Sequence, residues 1–221
     1  GGVSGNTTFS GEIITSTSGT SNLRIGENAG DAIASGGNYN VVLGDEAGTA
    51  ITTGDNNVAV GYNALATNTT ASTNTAVGYQ AAYSNQTGVG ITAFGANALY
   101  ATTASDNCGI GTDNPGNYAA ALESNTTGRF NTAVATGALG SNTEGDSNTA
   151  VGHSAGASIT TADNNVAIGY LALSTDTQGS LSTAVGKSAL ANQNLTSATN
   201  TFNTGIGAGA GEQLTTGPNN T

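Results

Sequence analysis

The sequence predicts an all-β, repetitive parallel β-solenoid, and three observations favour that fold. First, a short motif recurs through nearly the whole chain at an almost fixed interval. Second, small and polar residues dominate the composition, with 34 Gly and few long aliphatic side chains. Third, no apolar stripe with the 3.6-residue period of a helix survives the glycine spacing.

The repeated unit is Asn-x-x-aliphatic-Gly-x-x-Ala, and its glycines are mostly 17 residues apart. A fixed period of this kind is typical of stacked repeats, and each repeat is then one turn of the solenoid, here called a rung. The residues that define this structural repeat are Asn22, Ile25, Gly26, Ala29, Asn57, Val60, Gly61, Ala64, Asn74, Val77, Gly78, Ala81, Asn148, Val151, Gly152, Ala155, Asn165, Ile168, Gly169 and Ala172.

Each position of the unit has a physical reason. The aliphatic residue before Gly is the largest recurrent apolar residue, so we expect it to point inward with the Thr or Val two residues earlier. Gly allows a positive φ, and the invariant Ala indicates a tight inward site. Stacked Asn side chains are expected to hydrogen-bond from rung to rung. A second short apolar strand, such as Ala64-Leu65, and polar turns complete the predicted rung.

The repeat array is expected to cover residues 21–221, after a less regular lead-in strand segment at residues 1–20. The interval from Gly111 to Ala135 is longer than the others, which predicts an inserted turn and a degenerate rung. The sequence starts without Met and stops partway into another copy of the motif, so we expect it to be an excerpt of a longer polypeptide.

The composition disfavours several classes of partner. A formal net charge of −11, with only 3 Lys and Arg, argues against nucleic acids and anionic membrane surfaces. No run of about 18 apolar residues is present, so no membrane-inserted segment is predicted. Cys108 is the only cysteine, which excludes a disulfide framework within the chain.

Few residues are candidates for chemistry. His153, the only histidine, occupies the variable position after Gly and is expected to be a surface or interface side chain. Cys108 occupies a Thr/Val position, where it is expected to act as a small buried residue. The pairs Asp45-Glu46 and Glu144-x-Asp146 could serve as the two carboxylates of a glycosidase, although solvated turn charge is the favoured interpretation.

Two further sets of residues recur in phase with the repeat. Asp146 and Asp163 are expected to stack one rung apart, where their oxygens could bind Ca²⁺, although turn capping is favoured. Tyr62, Tyr79 and Tyr170 follow the Gly position and are expected to pack at chain interfaces, with glycan stacking as the alternative. We therefore predict no catalytic residue, no cofactor and no metal site.

The pattern Asn-Thr-Ala-Val-Gly-x-x-Ala-Leu resembles the head repeats of trimeric autotransporter adhesins and, more closely, the repeats of phage tail fibres, including fibres that end in a self-cleaving intramolecular chaperone. Residues 109–115, Gly-Ile-Gly-Thr-Asp-Asn-Pro, also resemble an element that is frequent in such fibres. The resemblance covers about residues 21–221. It implies a parallel homotrimer, built as a β-roll or an intertwined triple β-helix, and attachment to a host surface.

Together these observations predict a non-enzymatic structural segment, the extracellular shaft of a phage tail fibre on the virion surface. Its expected partners are copies of itself, other fibre or virion proteins, and a host-surface glycan or protein receptor. A bacterial surface adhesin head is the alternative, and a glycan-degrading tailspike is less favoured. An ice-binding solenoid ranks last, because the Thr residues are expected to fall largely on inward or irregular positions.

Overall fold

The computed structural model describes residues 18–114 and 118–221. Within these ranges the protein is all-β, contains no helix, and forms a parallel β-solenoid of about eleven rungs. The same ranges accordingly hold no helix of the length and hydropathy that a membrane crossing requires. The lead-in segment predicted at residues 1–20 lies, apart from its last three residues, outside the described part of the chain.

Eleven three-residue strands form one parallel sheet, in which each strand pairs with the next along the chain. A second parallel sheet consists of β10 (Gly179–Ser180) and β12 (Thr199–Asn200). The strands of the main sheet are β1 (Leu23–Ile25), β2 (Val41–Leu43), β3 (Val58–Val60), β4 (Thr75–Val77), β5 (Thr92–Phe94), β6 (Cys108–Ile110), β7 (Thr132–Val134), β8 (Thr149–Val151), β9 (Val166–Ile168), β11 (Thr183–Val185) and β13 (Thr204–Ile206).

Neighbouring strands are paired in the register that the repeat predicts. In β3 and β4, Ala59 is opposite Ala76 and Val60 is opposite Val77. Equivalent residues therefore lie above one another along the solenoid, at the spacing of roughly 4.8 Å that separates hydrogen-bonded strands. The predicted stacking of like residues is confirmed.

The long interval after Gly111 is accommodated within a single rung. Strand β6 pairs directly with β7, so the degenerate rung predicted there is wrong. Within this interval Asn114 and Tyr118 form an isolated antiparallel bridge. Regular stacking resumes at Ala121, whose carbonyl accepts the backbone N–H of Leu99 at 3.1 Å.

The Asn position forms a ladder of buried side chains at the corner that precedes each strand. The Oδ1 atom of Asn148 accepts the backbone N–H of Asn165 at 3.0 Å, and its Nδ2 atom donates to the backbone carbonyl of Ala162 at 2.7 Å. Both partners belong to the next rung, so the predicted rung-to-rung bonding is confirmed. Most of these bonds join the side chain to backbone groups rather than to another amide. The same pair of bonds is made by Asn40, Asn57, Asn74, Asn131 and Asn165.

The Gly position follows each strand and has two reasons to exclude a side chain. Its φ is positive, +137° at Gly78 for example, as predicted. The backbones of successive rungs also approach closely there, because a Cβ added to Gly78 would lie 2.5 Å from the carbonyl carbon of Gly95. This column of glycines lets the chain turn sharply while the rungs remain stacked.

After the Gly position the chain runs back towards the next Asn, and we call this part of each rung the return side. It consists of tight turns, so the predicted second strand is wrong. Ala64 and Leu65 are adjacent and both fully buried, whereas adjacent residues of a strand face opposite sides. Positive φ values of 58° at Asn63 and 52° at Leu65 produce this arrangement. The N–H of Ala64 closes a turn to Gly61 at 3.2 Å, and the N–H of Leu65 reaches the carbonyl of Ala81 in the next rung at 3.0 Å.

The core is narrow, and nearly every described rung fills it with one large aliphatic side chain. In one class of rung this residue is Leu directly after the Ala position, and the residue three further on is polar. In the other class Gly follows the Ala position and Ile or Leu stands three residues later. The first class comprises the pairs Leu65/Asn68, Leu99/Thr102, Leu122/Asn125, Leu139/Asn142, Leu173/Asp176 and Leu190/Gln193, and the second Gly30/Ile33, Gly48/Ile51, Gly156/Ile159 and Gly211/Leu214.

Replacing Gly78 with Ala should destabilise the solenoid, because the new Cβ meets the next rung and also strains the backbone. Gly207 is a matched control, since its φ is +123° but nothing lies within 4 Å of the site of its Cβ. We expect Gly207→Ala to lower the free energy of unfolding by about 1–3 kcal/mol through strain alone. Gly78→Ala should lower it by about 1–3 kcal/mol more through overpacking. Urea unfolding measures both, and equal losses would contradict the close approach between rungs.

The two classes of rung should be interconvertible by a paired substitution. Gly156 has a φ of +58°, close to the +49° of Leu139, so its backbone accepts Leu. Gly156→Leu alone overpacks the core against Ile159, and Ile159→Asn alone leaves a partly filled, polar site. Each single substitution should therefore lower the free energy of unfolding by about 1–3 kcal/mol. The double variant recreates the Leu139/Asn142 pair and should be more stable than the sum of the single losses predicts. Additivity to within about 0.5 kcal/mol in urea unfolding would refute the compensation.

Candidate interaction surface

The aliphatic position points outward, so the prediction that it faces the core is wrong. Strand residues alternate as expected, but in every strand of the main sheet except β1 it is the central residue that is buried, such as Ala59 or Ala150. The third residue is half-buried in β3, β4, β7 and β11 and exposed in the other strands of the main sheet, from 37% for Val151 to 71% for Ile206. The Thr or Val at the first strand position shares this outward face and is half-buried.

The width of the core explains the inversion. Leu side chains from the return side extend under the sheet, and a Cβ added to Gly109 would lie only 3.1 Å from Cγ of Leu99. The central strand position therefore accepts Ala or Gly at most rungs. The exceptions are Arg24 and Val42, and Val42 is accommodated because the return residues packed against it are Gly30 and Gly48.

The outward face is continuous along the eleven strands of the main sheet. At roughly 4.8 Å per rung, two parallel columns of side chains extend for about 48 Å. One column is mostly Thr and Val, and the other is Ile, Leu, Val and Phe. We call these two columns the apolar face; the second column consists of Ile25, Leu43, Val60, Val77, Phe94, Ile110, Val134, Val151, Ile168, Val185 and Ile206. A contiguous exposed apolar surface of this extent is typical of an interaction site.

Aromatic side chains flank the apolar face, because they follow the Gly that ends each strand. The rings of Tyr62 and Tyr79 stack with their centroids 5.7 Å apart. The His153 ring lies between the rings of Tyr118 and Tyr170. Its centroid is 4.4 Å from that of Tyr118 and 5.6 Å from that of Tyr170. His153 is thus a packed surface residue of an aromatic row. Half-exposed stacked rings beside an apolar face are suited to an interface.

Cys108 lies on the apolar face rather than in the core, where the sequence placed it. It is the first residue of β6, between Thr92 and Thr132, and it is a free thiol that is partly buried. Burial raises the pKa of the Cys108 thiol above its ordinary value, which lowers the thiolate fraction at neutral pH. The environment therefore suppresses nucleophilic reactivity instead of promoting it.

Four of the five candidate carboxylates, those of Asp45, Glu46, Asp146 and Asp163, are engaged in bonds between rungs. Asp146 and Asp163 do stack one rung apart, and Oδ1 of Asp163 accepts the backbone N–H of Asp146 at 2.7 Å. Asp45 accepts the N–H of Glu27 at 3.0 Å, and Glu46 accepts Nδ2 of Asn28 at 2.7 Å. Residues 18–114 and 118–221 contain no group of three or more His, Cys, Asp or Glu side chains placed to hold a metal ion.

Comparison of the chain with protein-family models, with curated proteins and with solved structures finds no match.

Proposed function

We propose that this chain is a structural segment of a fibrous attachment protein, namely a phage tail-fibre shaft that acts as a rigid spacer. The observation that supports a mechanical role is the direction of the hydrogen bonds. Strand backbones, the Asn ladder and a row of Thr side chains all bond along the solenoid axis, as when Oγ1 of Thr143 donates to the carbonyl of Thr160 at 3.1 Å. Bending such a rod requires several of these bonds to lengthen together.

The Thr residues at the first strand position, such as Thr132 and Thr149, share the outward face, so the expectation that Thr falls largely on inward or irregular positions is wrong for that column. The Thr row of the turns supports a structural role. Thr126, Thr143, Thr160 and Thr177 donate their hydroxyls to backbone carbonyls of the following rung, at 2.9–3.1 Å. These hydroxyl protons satisfy protein groups and are not presented to surrounding water.

Copies of the chain associate through the apolar face as a parallel homotrimer in this proposal. A narrow core buries little apolar surface in each rung, and covering the face would add burial along the whole rod. In a parallel arrangement the equivalent columns of the copies meet in register. The net charge of −11 repels copies of the chain, so the apolar burial has to exceed this repulsion. Three copies are the number that the resemblance to fibre repeats implies.

The segment would lie outside the cell, on the virion surface, with other fibre or virion proteins adjoining it. We assign no catalytic step to this segment. An adhesin head on a bacterial outer surface would use the same physical features. A chaperone domain in the complete reading frame would favour the tail fibre, whereas a signal peptide and membrane anchor would favour the adhesin.

Val151→Asp tests the association, because it places a charge on the apolar face at a side chain that the single chain leaves 37% exposed. We expect the variant to keep the circular dichroism spectrum of the unmodified protein but to sediment as a monomer. Thr161→Asp, at an exposed turn residue, makes the same change in charge and should remain a trimer. An unmodified chain that sediments as a monomer at every concentration would contradict the association.

The direction of association needs a cysteine away from the centre of the sheet. Cys108 lies on the sixth of eleven strands, so it would be close to its counterpart in a parallel or an antiparallel pair. Thr75→Cys in a Cys108→Ser background moves the thiol to β4, at the equivalent strand position. A short bismaleimide should link copies of this variant if they are parallel, and should fail to link them if they are antiparallel.

A further inference from the structure

One rung of the solenoid is a residue shorter than its neighbours on the side that leads into the strand. Five residues lie between Asn85 and Ile91, and five between Asn125 and Asn131, but only four lie between Thr102 and Asn107. Because the equivalent positions of all three rungs remain stacked, the missing residue comes out of the turn between them. The short turn is therefore recessed between two turns of full length.

The recess is an open notch of about 250 Å³. It is lined by Thr87 from the preceding rung, by residues 103–105 from the short rung, and by Thr127 and Arg129 from the following rung. This volume is below the roughly 300–1,000 Å³ of pockets that hold drug-sized ligands, and it suits a single small ring. None of the lining residues belongs to a strand, so the notch is separate from the apolar face.

The notch collects hydrogen-bonding groups that the described part of the protein does not use. Arg129 forms a long ion pair with Asp106, whose Oδ2 lies 3.9 Å from Nη2, beyond hydrogen-bonding distance, so this contact uses none of the guanidinium N–H donors. The guanidinium also lies over the Phe130 ring, 5.5 Å from its centroid. Among the described residues, the hydroxyls of Thr87 and Thr127 have no hydrogen-bond partner, and Thr103 uses its proton on the carbonyl of Thr126.

We propose that the notch binds one sugar residue that carries a carboxylate, as a uronic acid does. The planar guanidinium of Arg129 presents parallel N–H donors that match a carboxylate. Thr87 and Thr127 can donate to and accept from ring hydroxyls, and Asp106 can accept from a hydroxyl next to the carboxylate. Asp106 and the net charge of −11 repel any anion, and they repel a doubly charged phosphate more strongly than a singly charged carboxylate.

The proposal goes beyond the role of a spacer and does not depend on self-association. Its test is a titration of the ¹⁵N-labelled chain with D-glucuronate, followed by amide and Arg Nε–Hε resonances. We expect shifts confined to the notch residues, including the side chain of Arg129. D-glucose, which lacks the carboxylate, should bind about tenfold more weakly or worse, because it loses the charge-assisted bonds. Absence of shifts at the notch would overturn the proposal, as would acetate binding there as tightly as glucuronate.

Two variants separate this site from general charge effects. Arg129→Gln should weaken glucuronate binding by about tenfold or more, whereas Lys187→Gln makes the same change in net charge at an exposed site elsewhere and should leave binding unchanged. Insertion of one Gly between Ala104 and Ser105 restores the full-length turn and should abolish binding while Arg129 is retained. Equal weakening by Arg129→Gln and Lys187→Gln would show that the shifts report only non-specific attraction, and would refute the site.

Discussion

The buried Asn ladder is the interaction on which the rest of the structure depends. The chain turns a corner before each strand, and its N–H and C=O groups there cannot all be paired by regular sheet bonding. Asn supplies one acceptor and one donor at that point, as when Asn57 bonds the N–H of Asn74 at 3.1 Å and the carbonyl of Ala71 at 2.9 Å. At Ser182, which lacks the amide, Nε2 of Gln193 donates to the Ser hydroxyl at 2.9 Å, so nearby polar groups complete the ladder.

Close stacking of the rungs determines both the core and the surface. The interior is narrow enough that one Leu or Ile nearly fills a rung, and the strand opposite it can contribute little more than Ala. The larger aliphatic residues of each strand are consequently left on the outer face, where Val151 and Ile168 remain more than a third exposed. The apolar face is therefore a direct result of a core too thin to contain it, and this connects the architecture of the single chain to its proposed association.

The stacking register could be predicted from the sequence, because the Asn, Gly and Ala positions recur in phase. Which of the two alternating sets of strand residues faces the core could not be predicted. Ala59 and Val60 are both apolar, and a period of two does not show which face is buried. The adjacent apolar residues Ala64-Leu65 did argue against a second strand, because a strand with one solvent-facing side cannot bury both. The short rung was visible in the sequence, because Gly111 follows Gly95 at a spacing of 16 instead of 17. The surroundings of Arg129 could not be predicted, because folding brings them together from three rungs.

Asn148→Ala tests most directly whether the ladder holds the rungs together. The substitution leaves the N–H of Asn165 and the carbonyl of Ala162 without partners, at a cost of about 1–3 kcal/mol for each buried group. Asn68→Ala is the comparison, because Asn68 is equally buried but its Oδ1 bonds only Ala71 of its own rung, at 3.2 Å. The account predicts a larger loss of unfolding free energy in urea, and faster hydrogen exchange at Asn165, for Asn148→Ala. Equal losses for the two variants, with the Asn165 amide still protected, would contradict it.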